Sequence, residues 1–206
     1  TYKALRKKTG VEISVGYGLS ETSPVISMHD RFRKGYTNSV GLPHASTSIK
    51  ILSDQDEELR VGEIGEICVK GPQVMKGYWG LEEETKNSFT EDGYFKTGDI
   101  GHVGSDGELY IVDRKKDMIN VSGLKVYPQE IESVVNKHPS IIESGVVSTP
   151  DEKTGEAIAL FVVKKDDHLT VNDIINYMKE ESHMFINYMI IMFYIMVKTL
   201  MYIKKT

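Results

Sequence analysis

The chain is poor in cysteine, in basic residues and in long apolar runs. Cys68 is the single cysteine among 206 residues, so neither an internal disulfide nor a multi-thiolate zinc site can form, and a cytoplasmic location is expected. The 25 lysines and arginines are outnumbered by 30 carboxylates, which argues against a nucleic-acid partner. The longest unbroken apolar run, residues 188–197, has ten residues, where about 20 are needed to span a bilayer.

The two ends of the chain need separate interpretation. The start at Thr1 shows no initiator methionine and no apolar signal stretch, so we expect a piece of a longer chain. Residues 183–206, the atypical apolar tail, hold five of the nine methionines and no Gly, Pro, Asp or Glu. A buried helix, a surface-lying segment and an aberrant terminus are the alternatives for this tail. Its lysines would suit peripheral association with the inner membrane face.

The rest of the chain alternates β-like runs with turns. Stretches of four to eight residues rich in Val and Ile, bounded by Gly, Asp, Pro or Ser, predict strands. They are residues 11–15, 48–52, 66–70, 108–113 and 157–164. Polar turn residues at 53–56 and 104–107 predict chain reversals.

Two helices are predicted in the C-terminal half. Pro128 pre-sets the first helical φ, and apolar residues follow at helical spacing until Pro139. Thr170 and Asp173 form a capping-box signal before a second apolar stripe. From residue 126 onward the predicted order is helix, strand, strand, helix, which indicates a small α+β unit.

A glycine-rich segment with a terminal carboxylate runs over residues 16–21. Gly16 and Gly18 permit close backbone approach, the Ser20 hydroxyl can bond a phosphate oxygen, and the Glu21 carboxylate can hold Mg²⁺. A nucleotide site needs these groups. The segment matches neither the P-loop nor the dinucleotide fingerprint, and a simple strand terminus is the alternative.

Three further segments combine glycine or charge with turns. Residues 65–79 space three glycines around a strand and end on Trp79, for which a tight barrel corner closed by the tryptophan is the alternative. Asp99 follows a glycine, where its carboxylate could accept from both ribose hydroxyls or simply form an Asx-turn. The five consecutive charges at 113–117 suit either a solvated turn or a domain boundary.

Taken in order, six segments resemble the acyl-adenylate-forming (AMP-binding) superfamily, and within it the bacterial long-chain fatty-acid–CoA ligases. They are Gly-Tyr-Gly-Leu-Ser-Glu at 16–21, Val-Gly-Leu-Pro at 40–43, Gly-Glu-Ile-Cys-Val-Lys-Gly-Pro-Gln-Val-Met-Lys-Gly-Tyr-Trp at 65–79, Lys-Thr-Gly-Asp at 96–99, Val-Asp-Arg-Lys-Lys-Asp-Met-Ile-Asn-Val-Ser-Gly at 112–123 and Val-Tyr-Pro-Gln-Glu-Ile-Glu at 126–132. The resemblance extends from about residue 10 to about residue 182. Plant-type coumarate ligases are the closest rival, which leaves aryl acids as an alternative substrate class.

The resemblance implies a two-step reaction that uses ATP, Mg²⁺, a fatty acid and CoA. The carboxylate attacks the α-phosphate to give acyl-AMP and pyrophosphate, and the CoA thiol then displaces AMP. In the implied site, the segment Gly16-Tyr17-Gly18 binds the nucleotide and places the Tyr17 ring against adenine. Ser20 contacts the phosphates, and Glu21 binds Mg²⁺.

The resemblance assigns further roles along the chain. Asp99 and Arg114 would hold the ribose hydroxyls. Lys116 would be the hinge of a mobile C-terminal lid that turns between the half-reactions, and Gly123 would border the pantetheine path of CoA. The charge run at 113–117 then suits a flexible link between two rigid bodies.

The implied fold is a multidomain α+β and α/β arrangement. Residues 1–113 would be the β-rich C-terminal part of the large AMP-binding domain, 114–116 the hinge, 117–182 an incomplete small α+β lid, and 183–206 the atypical tail. The family's phosphate loop and most of its acyl tunnel would precede Thr1. The C-terminal catalytic lysine cannot be identified, because Lys204 lacks the glycine and proline that accompany it in the family.

We therefore expect the chain by itself to be nearly inactive. A non-catalytic remnant that binds nucleotide, a partner or a membrane is the alternative, and homodimer formation is left open.

Overall fold

A computed structural model describes residues 2–30, 35, 37–166, 168–181 and 200–202. The chain divides into two compact units, Thr1–Lys115 and Lys116–Thr206. Each unit has an apolar core of its own. The border falls inside the run of charges at 113–117, of which residues 114–117 are exposed.

The first unit contains two antiparallel sheets. One has three strands in the order β1, β2, β3, and the other is a meander in the order β4, β5, β6, β7. The helices of this unit are α1 (Tyr2–Thr9) and α2 (Glu82–Asn87). The strands are β1 (Gly16–Gly18), β2 (Val25–Met28), β3 (Leu42–Pro43), β4 (Ser48–Leu52), β5 (Gly65–Lys70), β6 (Phe95–Val103) and β7 (Leu109–Arg114).

Strand β5 lies between β4 and β6 in the meander and is buried from Gly65 to Val69. A strand with neighbours on both edges and cover on both faces is expected to be apolar along its length, as Ile67, Cys68 and Val69 are. The buried core of this unit consists of Ile26, Ile51, Ile67, Val69 and Leu109. Cys68 belongs to this buried strand with no exposed surface.

The predicted strands at 48–52, 66–70, 108–113 and 157–164 are confirmed within one or two residues. The strand predicted at residues 11–15 is wrong, since pairing begins only at Gly16, opposite Met28. Strand β2 ends at Met28, so the residues before Gly16 have no partner strand to complete a ladder. Val15 is held instead by the backbone of His29, whose N–H donates to the Val15 carbonyl at 2.9 Å.

The second unit is a sheet with two helices, which agrees with the predicted α+β class. The sheet has the strand order β10, β11, β8, β9. The strands are β8 (Ile119–Val121), β9 (Leu124–Val126), β10 (Ile141–Asp151) and β11 (Gly155–Lys164), and the helices are α3 (Pro128–Val135) and α4 (Val171–Glu181). The predicted order of helix, strand, strand, helix is confirmed.

Both predicted helix starts are confirmed by their local contacts. Pro128 is in the first turn of α3, which buries Ile131 and Val135 in the core. At the start of α4, the Asp173 carboxylate accepts from the Thr170 N–H at 2.9 Å, and the Asp173 N–H donates to the Thr170 hydroxyl oxygen at 3.3 Å. This reciprocal pair is a capping box, and α4 buries Ile174 and Met178 behind it.

Most of the atypical apolar tail lies outside the described residues, as does Lys204. Leu200–Tyr202 form a short strand, β12, which pairs in parallel with β11 from Leu160 to Val162. Among the described residues, no helix is both long and apolar enough to cross a membrane.

Candidate functional site

The segment that carries Tyr17 is itself a strand. Gly16–Gly18 pair with β2, and the register shifts between Tyr17 and Gly18. A side chain at Gly18 would collide with the carbonyl of Pro24, so the glycine is required by this close backbone approach. The local geometry thus presents Tyr17 on a short, irregular strand.

Tyr17 reaches across the first unit to Asp99. Its hydroxyl donates a hydrogen bond to Asp99 Oδ2 at 2.6 Å. Burial raises the pKa of Tyr17, and the hydrogen bond to the negatively charged Asp99 raises it further. Tyr17 therefore remains a protonated donor over the physiological pH range.

Arg114 belongs to the same cluster. Asp99 and Arg114 are register partners on the adjacent strands β6 and β7. The positive charge of Arg114 acts on the Tyr17 hydroxyl by lowering its pKa, against the larger raising effects. Three of the residues predicted to bind the nucleotide, Tyr17, Asp99 and Arg114, are therefore brought together from three different strands.

Glu21 lies in a neighbouring cleft. Ser20 and Glu21 are in a short 3₁₀ turn, Ser20–Thr22, which the buried Thr22 side chain ties to the backbone of Leu19 and Pro24. Ser20 is exposed. The cleft has a volume of about 410 Å³ and is lined by Leu19, Glu21, Glu66, Tyr78, Asn87, Ser88, Phe95, Lys96, Thr97, Gly98 and Lys115.

Asp99 and Arg114 are not among the residues that line this cleft, but their chain neighbours are. Gly98 precedes Asp99, and Lys115 follows Arg114. The structure thus gathers the predicted ribose ligands with Tyr17, and it gives Glu21 a cleft that shares the two segments carrying those ligands.

Tyr78 is a cleft residue that sequence reasoning did not assign. Its hydroxyl donates to Glu21 Oε1 at 3.1 Å. Burial raises the pKa of Tyr78, as does the hydrogen bond to Glu21. The Gly-Tyr-Trp motif at 77–79 was the sequence feature that could have identified Tyr78 as a site residue. The alternative in which Trp79 closes a barrel corner is wrong, because Trp79 is 100% exposed.

Glu66 is a second residue that sequence reasoning placed only within a strand. It is 7% exposed, its Oε2 accepts from Lys115 Nζ at 2.6 Å, and its Oε1 accepts from the Gly98 N–H at 3.2 Å. The sequence feature that could have identified Glu66 is a carboxylate directly before the apolar residues 67–69 of a predicted strand.

The chemistry of Glu21 fits a magnesium ligand. Its side chain is half-buried at the cleft and offers hard carboxylate oxygens. Within the described part of the chain, no group of three or more His, Cys, Asp or Glu could hold a metal. Mg²⁺ commonly binds through one or two carboxylates plus phosphate oxygens and water, so Glu21 alone is compatible with a nucleotide-bound ion.

The remaining predicted residues, Lys116 and Gly123, lie in the second unit. Lys116 is its first residue and is exposed. Ser122 (φ 51°) and Gly123 (φ 89°) form the two-residue turn between β8 and β9, and the Gly123 N–H donates to Asn120 Oδ1 at 2.8 Å. A hairpin turn with positive φ at both central residues strongly favours glycine at the second.

Comparison with known proteins supports the sequence resemblance. Residues 1–79 match the AMP-binding enzyme family, and residues 130–199 match the AMP-binding enzyme C-terminal domain. A long-chain-fatty-acid–CoA ligase of Salmonella typhimurium is 48% identical over 171 residues, which is 83% of this chain and 30% of the relative. One of Bacillus subtilis is 45% identical over 160 residues, 77% of this chain and 28% of the relative.

Solved structures agree with this relationship. ATP-bound MatB from Rhodopseudomonas palustris is 31% identical with a TM-score of 0.83, covering 98% of this chain and 39% of that one. The o-succinylbenzoate CoA synthetase of Bacillus subtilis, in complex with its acyl-adenylate intermediate, is 34% identical with a TM-score of 0.74, over 88% and 37%. This chain spans about 30% of the length of the curated relatives it matches, and it belongs to the AMP-binding family of adenylate-forming enzymes.

Proposed function

We propose that this chain is part of an ATP-dependent long-chain fatty-acid–CoA ligase. In the first step a fatty-acid carboxylate oxygen attacks the α-phosphorus of ATP, the bond to the bridging oxygen breaks, and pyrophosphate leaves. In the second step the CoA sulfur attacks the acyl carbonyl, its proton is lost, and AMP leaves with the electron pair of the broken carbon–oxygen bond of the mixed anhydride.

The observation that carries this proposal is the juxtaposition of Tyr17, Asp99 and Arg114. A carboxylate that accepts from hydroxyls and a guanidinium with several donors suit the two hydroxyls of a ribose. The Tyr17 ring beside them offers an aromatic surface for adenine. The names of the curated relatives, at 42–48% identity, supply the substrate class.

The residues around Glu21 would serve the phosphates. Ser20 would donate its hydroxyl to a phosphate oxygen, and Glu21 would hold Mg²⁺. When bound, the ion neutralises phosphate charge as negative charge shifts to the leaving pyrophosphate. Tyr78 would keep the Glu21 carboxylate oriented through its hydrogen bond.

The second unit would act as the lid between the two half-reactions. Lys116, its first residue, would be the hinge, because backbone torsions at the border can reorient a whole unit. Gly123, at the tip of the β8–β9 hairpin, has nothing within 4 Å of where a Cβ would lie, and it would border the pantetheine arm of CoA.

A chimaera tests the proposal. Residues 10–182 would replace the matching segment of the Salmonella typhimurium relative, which supplies both the preceding part of the enzyme and the C-terminal end. We expect pyrophosphate release that depends on oleate, and oleoyl-CoA formation in the presence of ATP and CoA. The relative also supplies most of the acyl tunnel, so the chimaera tests what residues 10–182 contribute to adenylation and thioester formation.

Two substitutions in the chimaera make the test specific to the site. Asp99→Ala should abolish activity, because it removes the acceptor for the ribose hydroxyls. Asp106→Ala, at an exposed turn of the same unit, should leave activity unchanged. A folded chimaera with no activity towards oleate would contradict the proposal.

A further inference from the structure

Glu66 is a carboxylate in a place where a charge is costly. It lies on β5, the strand buried from Gly65 to Val69, and its side chain is 9% exposed. A charged group taken out of water destabilises the fold unless it is paired and hydrogen-bonded. Its two contacts therefore account for its presence in this strand.

Each carboxylate oxygen of Glu66 holds a different segment. Oε1 accepts from the backbone N–H of Gly98, and Oε2 accepts from Nζ of Lys115. Gly98 has a positive φ of 73° and directly precedes Asp99. Lys115 directly follows Arg114 and is the last residue of the first unit.

We propose that Glu66 is a positioning residue that anchors both segments, so that Asp99 and Arg114 are held in register and the anchored part of the first unit ends at Lys115. The anchor itself is independent of ligase activity. Its benefit to nucleotide binding rests on the function proposed above.

The charges around Lys115 agree with a firm anchor. The Lys115 side chain is 44% exposed, and its partial loss of water disfavours the charged ammonium. The hydrogen bond and negative charge of Glu66 outweigh this effect and raise the pKa of Lys115. The charges of Asp54 and Asp56 act in the same direction. Asp56 is itself bound by Lys96 Nζ at 2.8 Å, whereas Glu66 accepts directly from Lys115 Nζ.

Limited trypsin digestion of the full chain tests the anchor, because trypsin must take the lysine side chain before the cleaved bond into its own pocket. In the unaltered chain we expect cleavage after Lys116 to predominate over cleavage after Lys115. Glu66→Gln removes the ion pair, and the ratio of Lys115 to Lys116 cleavage should rise about tenfold, as expected for loss of a hydrogen bond to a charged group. Mass spectrometry gives the ratio directly.

Two matched variants separate anchoring from general loosening of the fold. Lys115→Arg keeps the positive charge and a trypsin site, so the ratio should stay low. Glu83→Gln changes an exposed carboxylate on α2 and should have no effect. If Glu66→Gln speeds cleavage at both lysines equally, its role is general stability and the anchor is overturned.

Hydrogen exchange at Gly98 tests the other half of the anchor. The amide oxygen of Glu66→Gln can still accept from the Gly98 N–H, whereas Glu66→Ala cannot. Exchange of the Gly98 amide should therefore be about tenfold faster in Glu66→Ala than in Glu66→Gln. Equal rates would overturn the contact, whereas an inactive chimaera with the expected cleavage and exchange would contradict only the ligase proposal.

Discussion

The hydroxyl of Tyr17 donates a 2.6 Å hydrogen bond to Asp99, a residue 82 positions further along the chain. This bond fixes one oxygen of the carboxylate that we propose for ribose binding. It also ties the strand that carries the predicted adenine-contacting ring to the strand that carries the predicted ribose ligand.

Removal of the Tyr17 hydroxyl should weaken nucleotide binding. In Tyr17→Phe the aromatic ring remains but Asp99 loses a donor, so we expect AMP affinity to fall about tenfold, within the range for a hydrogen bond to a charged group. Isothermal titration calorimetry on the full chain measures it. Tyr110→Phe is the matched control, since it removes a Tyr–Asp bond, 3.0 Å to Asp106, elsewhere in the unit. Equal affinities of the two variants would contradict the role of Tyr17.

Substitution of Glu21 should separate metal-dependent from metal-independent binding. Glu21→Gln removes the charge that we propose for Mg²⁺, so the Kd for ATP with Mg²⁺ should rise about tenfold, an energy of about 1.4 kcal/mol. AMP binding without Mg²⁺ should not change. Titrations with each ligand measure both constants, with Glu83→Gln as the control. Equal weakening of both ligands would exclude a metal-specific role for Glu21.

Cys68 should be inert in the folded protein. It has no exposed surface, and burial, helped by the nearby charge of Glu66, raises the pKa of its thiol to about 12. Near neutral pH the reactive thiolate is therefore scarce. We expect negligible modification by iodoacetamide in buffer and complete modification in concentrated guanidinium chloride, followed by mass spectrometry. Fast labelling of the folded chain would show that β5 opens readily.

Loss of the capping box should destabilise the second unit. Thr170→Ala removes the hydroxyl that bonds both the N–H and the carboxylate of Asp173, and caps of this kind contribute about 1 kcal/mol. Urea denaturation followed by circular dichroism measures the free energy of unfolding. Ser133→Ala in α3 is the control. The exposed Ser133 hydroxyl donates to the backbone carbonyl of Glu130 inside the helix, so it does not cap a helix end.

The capping effect should also depend on pH. The hydrogen bonds from Thr170 lower the pKa of Asp173, so their stabilisation is present above the unfolded-state pKa. It is lost as the pH falls through the lower folded-state value. The stability difference between the unaltered chain and Thr170→Ala should therefore shrink in acid. A difference that stays constant down to the acid transition would mean that the Asp173 charge plays no part.

Local chemistry in the sequence was sufficient to predict the two helices of the second unit, but not its hairpin of β8 and β9. Pro128 and the Thr170–Asp173 pair begin helices through contacts within three or four residues, and apolar periodicity identifies the buried face. The strand prediction for residues 11–15 was wrong because strand formation depends on a distant partner. Its composition is β-like, but a strand needs a partner, and β2 ends at Met28 before it could pair with residues preceding Gly16.

In the candidate site, the sequence predicted the residues but not their contacts. Residue types at short spacing named Tyr17, Glu21, Asp99 and Arg114, because a family resemblance is carried by local motifs. Neither the Tyr17–Asp99 bond nor the contacts of Glu66 with Gly98 and Lys115 could be read from those motifs. They join residues 32 to 82 positions apart. The pairing of β5, β6 and β7 brings Glu66 near Gly98 and Lys115, whereas the Tyr17–Asp99 bond joins two different sheets of the first unit. The helix starts and the chemistry of the candidate residues thus follow from the amino-acid sequence alone, because both depend on neighbouring residues. The tertiary structure decided which of these residues meet, because strand pairing and the packing of the two sheets bring distant segments together.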